Sequence, residues 1–298
     1  MADALALRIR ESLPGLEIRE NEPMRLHTSF RIGGPARLLI LPRSGEELEA
    51  LCLLLRRLGE KPLILGNGSN VLAPDEGLDR CVAVTARADR WSIRGETLEA
   101  DCGASVTALA GAAARAGLEG LTFAYGSPGT LGGALVMNAG AYGGEMKDVT
   151  LETDLLDGDL RRRTLRGEEQ GFGYRTSAFT GDMVLLRARL HLRPGDGEKL
   201  REDCRVLLEK RRASQPLDLP SAGSAFKRPA AGYAAAMIDE AGLKGLSVGG
   251  AMVSRKHAGF IVNTGGATAS DVRRLLELVR ERVLASAGVL LEPEIRIL

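Results

Sequence analysis

The feature that most constrains this chain is a glycine-rich stretch running from Gly126 to Gly144. Seven of its nineteen residues are glycine, and one short apolar patch, Ala134 to Met137, interrupts the small residues. Glycine loses more backbone freedom on folding than any other residue, and this stretch has no periodic core pattern to offset that cost. We therefore interpret it as a loop whose backbone closely approaches a bound ligand.

A second, shorter glycine loop directly follows an apolar strand at residues 62–65. It reads Gly66-Asn67-Gly68-Ser69-Asn70. Its two glycines free the backbone for positive φ, and successive N–H groups in such a turn form an anion nest. Taken alone, this loop is explained equally well as an ordinary turn.

Neither loop matches the common phosphate-binding fingerprints. No Gly-Lys-Ser/Thr follows either loop, as a Walker A loop requires, and GxGxxG spacing is absent. Pro128 is expected to block a helix start inside the longer loop. The two loops together therefore predict a diphosphate held between two backbone nests rather than at a helix N-terminus.

The overall composition narrows the function classes. The chain has 298 residues, of which 44% are hydrophobic, which suits two or three small domains. Its net charge of +1 gives no reason to expect nucleic acid or an anionic membrane as a partner. The densest basic run, Arg161 to Arg163, has acidic neighbours and is predicted to form a solvated hairpin tip.

The cysteines, the histidines and the N-terminus favour a metal-free cytoplasmic enzyme. No cysteine pair has CxxC spacing, so buried free thiols in a reducing compartment are expected. Charges from Asp3 onward break the apolar run of a signal peptide, and glycines interrupt the longest uncharged stretch, which argues against a membrane span. The cysteines are Cys52, Cys81, Cys102 and Cys204, and the scattered histidines are His27, His191 and His257.

Periodicity predicts a helix near the N-terminus and then one β-α-β unit over residues 37–65. Ser44 begins a capping box, apolar residues follow at helical spacing, and Gly59 is a plausible helix stop. A strand on each side of this helix implies a parallel pair. Further strands are expected at residues 81–85, 91–93, 98–102, 149–156 and 183–192, around a small-residue helix ending at Gly117.

The last hundred residues read as a compact α+β segment. Residues 193–197 look like a domain boundary. A capping box at Thr268 opens the last helix, and residues 289–298 read as a closing strand with Glu294 and Arg296 on one face.

Several motifs in chain order resemble one known family. The chain resembles the enolpyruvylglucosamine reductases, which belong to the vanillyl-alcohol-oxidase type of flavin fold. Any one motif is weak, but together they span nearly the whole chain. The motifs are His27 to Gly34, the two glycine loops, Gly173-Tyr174-Arg175, Ala222 to Lys227, Gly249 to Ala251, Lys256 to Phe260 and Leu291 to Arg296.

The resemblance implies an α+β fold with a two-part FAD-binding region of the vanillyl-alcohol-oxidase/PCMH type and a C-terminal α+β substrate-binding domain. The expected domains are residues 1–65, which the C-terminal strand joins, residues 66–196 and residues 197–298. The first two are expected to bind FAD between them, and no histidine or cysteine in the first glycine loop offers a covalent tether. The implied reaction uses NADPH, through the flavin, to reduce the enolpyruvyl ether of a UDP-sugar. No obligate protein partner is evident.

The resemblance also implies site residues. The catalytic serine, arginine and glutamate of the family fall on Ser224, Arg175 and Glu294. The implied cofactor-binding residues are Arg31, Gly66, Asn67, Gly68, Ser69, Asn70, Gly126, Ser127, Pro128, Gly129, Thr130, Gly133, Asn138, Ala139 and Gly140. The implied substrate-binding residues are Tyr174, Lys227, Arg228, Tyr233, His257 and Arg296.

Each role has a structural alternative. Ser224 sits in a turn where a serine commonly bonds its own backbone, and Arg175 could be a surface arginine. Glu294 and Arg296 could form an ordinary strand ion pair, and His257 is more readily a packed histidine than a base. Two other function classes also remain open: an oxidase of the same fold, and a flavin- or nucleotide-binding protein without catalysis.

The chain departs from part of the family. Between Arg175 and Arg193 it lacks the inserted segment whose tyrosine folds over the substrate in one branch, so it resembles the shorter branch. Some members also place a lysine ahead of the serine loop, where this chain reads Ser214-Gln215-Pro216-Leu217.

Overall fold

The structure, a computed structural model, describes residues 3–298 and divides into two compact units. Unit 1 comprises the described residues up to Glu20, then Leu38–Asn67 and Arg80–Glu209. Unit 2 comprises Asn21–Arg37, Gly68–Asp79 and Lys210–Leu298. The two units are therefore interleaved along the sequence, and the three-domain division expected from the sequence stays a prediction.

The secondary structure mixes short helices with many short strands. In the described residues the helices are α1 Ala4–Ser12, α2 Gly45–Arg57, α3 Val106–Arg115, α4 Leu131–Val136, α5 Gly197–Ser214, α6 Ala234–Glu240 and α7 Ala269–Ala287. The strands are β1 Glu17–Pro23, β2 Pro35–Leu41, β3 Leu63–Leu65, β4 Val71–Leu72, β5 Leu78–Val84, β6 Trp91–Arg94, β7 Thr97–Asp101, β8 Leu118–Glu119, β9 Gly140–Ala141, β10 Gly144–Glu145, β11 Thr150–Leu156, β12 Arg162–Arg166, β13 Val184–His191, β14 Arg193–Pro194, β15 Ser221–Ser224, β16 Ser247–Val248, β17 Ala251–Val253, β18 Phe260–Asn263 and β19 Arg296–Ile297.

Unit 1 is organised by a five-stranded antiparallel sheet in the order β12-β11-β13-β7-β6. Alternation along β13 sends Ala188 and Leu190 into a core with α3 and α4. The opposite face of β13 presents Arg187 and Arg189, which pair with acidic residues of β7 and β11. This sheet supports the longer glycine loop, because α4 belongs to that loop.

A second sheet, in the order β1-β2-β5-β3, lies mostly in unit 1. Its core includes Leu38 and Ile40 of β2 and the apolar face of α2. The predicted β-α-β unit is present, but β5 lies between β2 and β3 and pairs with β3 in parallel. The expectation that the strands of residues 37–65 pair directly was therefore wrong, because a strand from later in the chain inserts between them.

Unit 2 packs α6 and α7 on a four-stranded sheet in the order β15-β18-β17-β16. The buried face of α7 carries Val272, Leu275, Leu276, Val279 and Val283 at helical spacing. A separate short parallel pair joins β19 to β4. The closing strand is therefore much shorter than residues 289–298, and Ile295 is buried whereas Ile297 is 48% exposed.

Both predicted capping boxes lie at helix starts, but only the one at Thr268 is complete, because the carboxylate of Glu47 accepts the N–H of Arg43 instead of that of Ser44. The hydroxyl of Ser44 accepts the N–H of Glu47 at 3.2 Å, and Thr268 and Asp271 form a reciprocal box at the start of α7. Asp75 adds a cap from outside the helix, since its two carboxylate oxygens accept the N–H groups of Ala269 and Ser270 at 2.7 and 3.1 Å. The first turn of α7 is thus held by three side chains.

The longer glycine loop contains a helix that sequence reasoning missed. Thr130 caps α4, which begins at Leu131, three residues after Pro128. Proline is tolerated just ahead of a helix, so the expectation that Pro128 blocks a helix start in this loop was wrong. Strand β1, after the turn at Pro14 and Gly15, was also missed.

Two smaller predictions are confirmed. The basic run Arg161 to Arg163 lies at the exposed turn of the β11–β12 hairpin. All four cysteines are free and buried. Within residues 3–298, no helix combines the length and apolarity needed to span a membrane, and no group of three or more histidine, cysteine or acidic side chains is placed to hold a metal ion.

Candidate functional site

In unit 1 the start of the short glycine loop contacts the longer one. The side-chain amide of Asn67 donates to the carbonyl of Pro128 at 2.8 Å. A Cβ added to Gly66 would lie 2.3 Å from Oγ1 of Thr130, closer than carbon and oxygen can approach. Gly66 therefore allows the two loops to meet, which the sequence predicted without giving the reason.

At the start of the longer loop, two backbone carbonyls are bonded by residues of α3. The carbonyl of Ser127 accepts from the hydroxyl of Thr107 at 2.7 Å, and the carbonyl of Gly129 accepts the N–H of Val106 at 3.2 Å. Among the hydrogen bonds within residues 3–298, none is donated by the backbone N–H of Gly66, Asn67, Gly129 or Thr130. Backbone N–H groups that have no acceptor within the protein can donate to the oxygens of a diphosphate. The residues present therefore fit the FAD diphosphate that the sequence implies.

The end of the longer loop is tied to the turn that carries Arg175. Asn138 is 2% exposed at a φ of 39°, and its amide donates to Oε2 of Glu145 at 2.7 Å and to the carbonyl of Gly173 at 3.0 Å. Its Oδ1 accepts the N–H of Lys147 at 2.9 Å. The polar atoms of the Asn138 side chain are therefore engaged by the protein itself.

Arg175 occupies a tight turn with a left-handed backbone, at a φ of 54°. Gly173 and Thr176 pair on either side of it, and both terminal guanidinium nitrogens lie 3.4 Å from the carbonyl of Gly140. The ring of Tyr174 lies 5.6 Å from the guanidinium carbon and is itself 57% exposed. The half-buried position of Arg175 favours a functional cation over an ordinary surface arginine.

In unit 2 the rest of the short loop packs on the segment that begins the family resemblance. A Cβ on Gly68, whose φ is 59°, would meet the carbonyl oxygen of His27 at 2.2 Å. The N–H of Ser29 donates to the carbonyl of Gly68, and its hydroxyl donates to the carbonyl of Ser221 at 2.6 Å. Gly68 is thus required by packing against the protein, whatever else it binds.

Ser224 and Glu294 are brought together by backbone pairing. The N–H of Glu294 donates to the carbonyl of Ala225 at 2.9 Å, next to Ser224. The carbonyl of Glu294 accepts from the side-chain amide of Asn70 at 3.3 Å, and the N–H of Arg296 donates to the carbonyl of Asn70 at 3.0 Å. A bulge separates Ser221 from Ser224 in β15, where Gly223 has a φ of 77°. Two distant parts of the sequence, the one that carries Ser224 and the one that carries Glu294, are therefore joined through their backbones.

Most side chains of unit 2 that are expected to bind the substrate, and Arg31, which is expected to bind the cofactor, are at least partly exposed. Tyr233 is 62% exposed and stacks on the guanidinium of Arg228, 4.0 Å from its ring centroid. Lys227 pairs with Glu292. Arg31 and Arg296 are exposed, and Arg31 has a φ of 55°. These five side chains are accessible to a ligand.

The ring of His257 packs against neighbouring residues of the protein. Its Nδ1 accepts the N–H of Gly259 at 3.1 Å, and its ring meets Phe260 edge to face at 5.1 Å. Burial lowers the pKa of His257, which disfavours the charged form of the ring. The structure therefore favours the packed alternative for this residue.

Sequence reasoning missed three residues that hold the site together: Ser29, Thr107 and Glu145. Each bonds a loop backbone or an expected site residue rather than presenting a group to a ligand. Ser29 lies inside a motif that carried the resemblance, which was a usable signal. Thr107 gave none, because its partner is a backbone carbonyl, and Glu145 gave none, because its spacing from Asn138 matches no regular helix or strand pattern.

Two family sequence patterns match the chain. An FAD binding domain matches residues 36–165, and the C-terminal domain of UDP-N-acetylenolpyruvoylglucosamine reductase matches residues 215–298. Together they confirm the fold class expected from the sequence, an FAD-binding region followed by a C-terminal α+β domain.

Relatives that match along nearly the whole chain point to the same family. The UDP-N-acetylenolpyruvoylglucosamine reductase of Caldanaerobacter subterraneus subsp. tengcongensis is 44% identical over 298 residues, which covers 100% of this chain and 99% of the relative. The reductase of Alkaliphilus oremlandii is 45% identical over 282 residues, 93% of this chain and 92% of the relative. The crystal structure of the Thermus caldophilus reductase superposes with a TM-score of 0.81 at 35% identity, covering 95% of this chain and 98% of that one. The chain therefore belongs to the UDP-N-acetylenolpyruvoylglucosamine reductase family.

Proposed function

We propose that this chain reduces UDP-N-acetylenolpyruvoylglucosamine to UDP-N-acetylmuramate, a precursor of peptidoglycan, as an FAD-dependent oxidoreductase using NADPH. The observation that carries the proposal is the 44% identity to a reductase of this name across the entire chain. The choice of FAD is supported by the backbone N–H groups of the two glycine loops in unit 1 that donate no hydrogen bond within the protein.

A bound FAD would supply the hydride chemistry that connects NADPH to the terminal carbon of the enolpyruvyl group. The backbone N–H groups of Gly66, Asn67, Gly129 and Thr130 are proposed to hold its diphosphate. Neither glycine loop contains a histidine or cysteine, so the cofactor is proposed to be held without a covalent bond.

Arg175 is proposed to bind the carboxylate of the enolpyruvyl group. Hydride addition to the terminal carbon leaves negative charge on the adjacent carbon and its carboxylate. A guanidinium offers two parallel N–H donors to that carboxylate and stabilises the developing charge. The left-handed turn and the contact to Gly140 restrict the positions that the guanidinium adopts.

Ser224 is proposed to donate the proton that completes the reduction, and Glu294 to orient the group around it. The support is the backbone pairing that sets Glu294 beside Ala225 and ties its carbonyl to Asn70. A carboxyl group beside a serine hydroxyl can fix the direction in which that hydroxyl donates.

The exposed basic and aromatic side chains are proposed to bind the UDP moiety. Lys227 and Arg228 supply cations for the diphosphate, and Tyr233 supplies a ring face. We also place the enzyme in the cytoplasm, where nucleotide sugars and NADPH are made, without an obligate protein partner.

The half-reactions test the proposed function directly. We expect purified protein to carry FAD, to lose the yellow flavin absorbance when NADPH is added without oxygen, and to regain it with the enolpyruvyl substrate. A flavin that NADPH reduces but this substrate does not reoxidise would contradict the proposed substrate.

Ser224→Ala tests the proton donor. We expect FAD binding and reduction by NADPH to stay near the parent rate, while reoxidation by substrate falls about 10²–10⁴-fold, the usual contribution of a positioned general acid. Stopped-flow absorbance of the flavin follows each half separately. Ser247→Ala, an exposed serine of β16, is the matched control. Reoxidation at the parent rate in Ser224→Ala would show that Ser224 only shapes the turn and does not donate the proton.

A further inference from the structure

We propose that Asn138 is a positioning residue for Arg175: its buried amide clamps the turn that carries the guanidinium to the end of the longer glycine loop. This role deepens the proposed function, because it rests on Arg175 binding the substrate carboxylate. It differs from the expectation that Asn138 binds the cofactor.

The contacts of Asn138 link three backbone segments. Its Nδ2 donates to the carbonyl of Gly173 at 3.0 Å and to Oε2 of Glu145 at 2.7 Å, and its Oδ1 accepts the N–H of Lys147 at 2.9 Å. The carboxamide side chain therefore uses both of its donors and its acceptor inside the protein. With 2% of its surface exposed, Asn138 has little side-chain area left for a ligand.

Arg175 makes a second contact between the turn that carries it and the end of the longer glycine loop. Gly173 lies two residues before Arg175, and Gly140 lies two residues after Asn138. The guanidinium nitrogens of Arg175 approach the carbonyl of Gly140 at 3.4 Å. The loop end and the turn thus hold each other at two points, one of which is the cation that the proposed function uses.

Asparagine is the residue type that this position requires. Its φ of 39° lies in the left-handed region, which asparagine tolerates better than most residues. Aspartate has nearly the same shape, but as a carboxylate it cannot donate to the carbonyl of Gly173, and it would face the carboxylate of Glu145. Asn138→Asp therefore removes the clamp with a minimal change in volume.

The first experiment needs no activity. Hydrogen–deuterium exchange of a peptide spanning residues 173–176 should become about tenfold faster in Asn138→Asp, because the turn loses its anchor. Exchange in β13 should stay at the parent rate. Asn21→Asp, the same change at an exposed asparagine with a φ of 53°, is the matched control and should alter neither region.

The second experiment asks whether Asn138 acts through Arg175. In Asn138→Asp, reoxidation of the flavin by the enolpyruvyl substrate should fall about 10–100-fold, as expected for a misplaced catalytic group, while reduction by NADPH stays within about twofold. Added to Arg175→Lys, the same change should cost less than about threefold, because the group that it positions is already altered.

Unchanged exchange at residues 173–176 would overturn the clamp. An equally large loss of reoxidation in both backgrounds would overturn the action through Arg175 and leave a general structural defect. If the parent protein itself is not reoxidised by the enolpyruvyl substrate, the proposed function fails, and the exchange result still decides whether Asn138 holds the turn.

Discussion

Single residues in this protein are constrained by burial as much as by chemistry, and His257 shows this most clearly. Burial lowers its pKa below the ordinary value of 6.5. The unfolded chain therefore takes up a proton at a pH where the folded protein does not. The stability contribution is full above about pH 6.5 and is lost as pH falls from there towards the lower folded pKa, with a slope of at most about 1.4 kcal/mol per pH unit.

This predicts the behaviour of His257→Asn. The free energy of unfolding of the variant should fall less than that of the parent between about pH 7.5 and 5.5, because the variant lacks this proton uptake. Urea unfolding at the two pH values measures the difference. Ser247→Ala, which changes an exposed residue without a titratable group, is the control and should keep the parent's pH dependence. A parent-like pH dependence in His257→Asn would show that the ring protonates freely when folded.

Arg175→Lys separates charge from geometry at the proposed carboxylate site. Lysine keeps the positive charge but loses the planar pair of donors. Reoxidation by substrate should fall about 10²-fold, in the range found when one oxyanion donor is removed, whereas reduction by NADPH should stay near the parent rate. Stopped-flow traces of the two half-reactions give both values. Equal losses in both would assign Arg175 to the structure rather than to the substrate.

Among whole elements, α7 depends on a cap that comes from a distant loop. Asp75 accepts the N–H groups of Ala269 and Ser270, so it satisfies two of the donors that every helix start leaves open. Asp75→Ala should lower the free energy of unfolding by about 0.5–2 kcal/mol, the usual range for a lost cap. Asp79→Ala, at an exposed position of β5, is the control. If the parent and Asp75→Ala unfold at the same urea concentration, Thr268 and Asp271 are sufficient to cap α7.

Local patterns predicted elements well where the cause is local. The helix starts at Ser44 and Thr268 were predicted because each cap bonds the N–H of a residue three positions later. Helix α4 was missed because its cap, Thr130, follows a glycine and is followed three residues later by Gly133 rather than by an acidic partner. The closing strand was overextended because its alternating residues resemble a strand, whereas β4, with which β19 pairs, is two residues long.

The candidate site was predicted residue by residue, but its connections were not. The resemblance identified Ser224, Arg175 and Glu294 without showing what holds them. The bond from Asn70 to the carbonyl of Glu294 joins positions 224 residues apart, and no sequence period encodes it. Gly68 shows the same limit: its need for a missing Cβ comes from the carbonyl of His27 rather than from a ligand.

Across the whole molecule, the cysteines are confined to one of the two interleaved units. All four belong to unit 1, and all are buried. Burial raises the pKa of Cys52 to about 12, and it also raises the pKa of Cys102. Because the thiolate is the reactive form, these thiols become reactive only when unit 1 opens. Thiol labelling therefore reports on unit 1 alone.

This gives a test of where FAD binds. The donors proposed to hold its diphosphate, on Gly66, Asn67, Gly129 and Thr130, all lie in unit 1. A ligand that binds only the folded form reduces the open population by the factor 1 + [L]/Kd, which is about tenfold when FAD is present at about ten times its Kd. Thiol labelling of the FAD-free protein in moderate urea should slow by that factor when FAD is added. Riboflavin, which has the isoalloxazine ring but no diphosphate, should give little protection at the same concentration. Equal protection by riboflavin would place the binding energy in the ring, and labelling unaffected by FAD would remove the cofactor from unit 1 altogether.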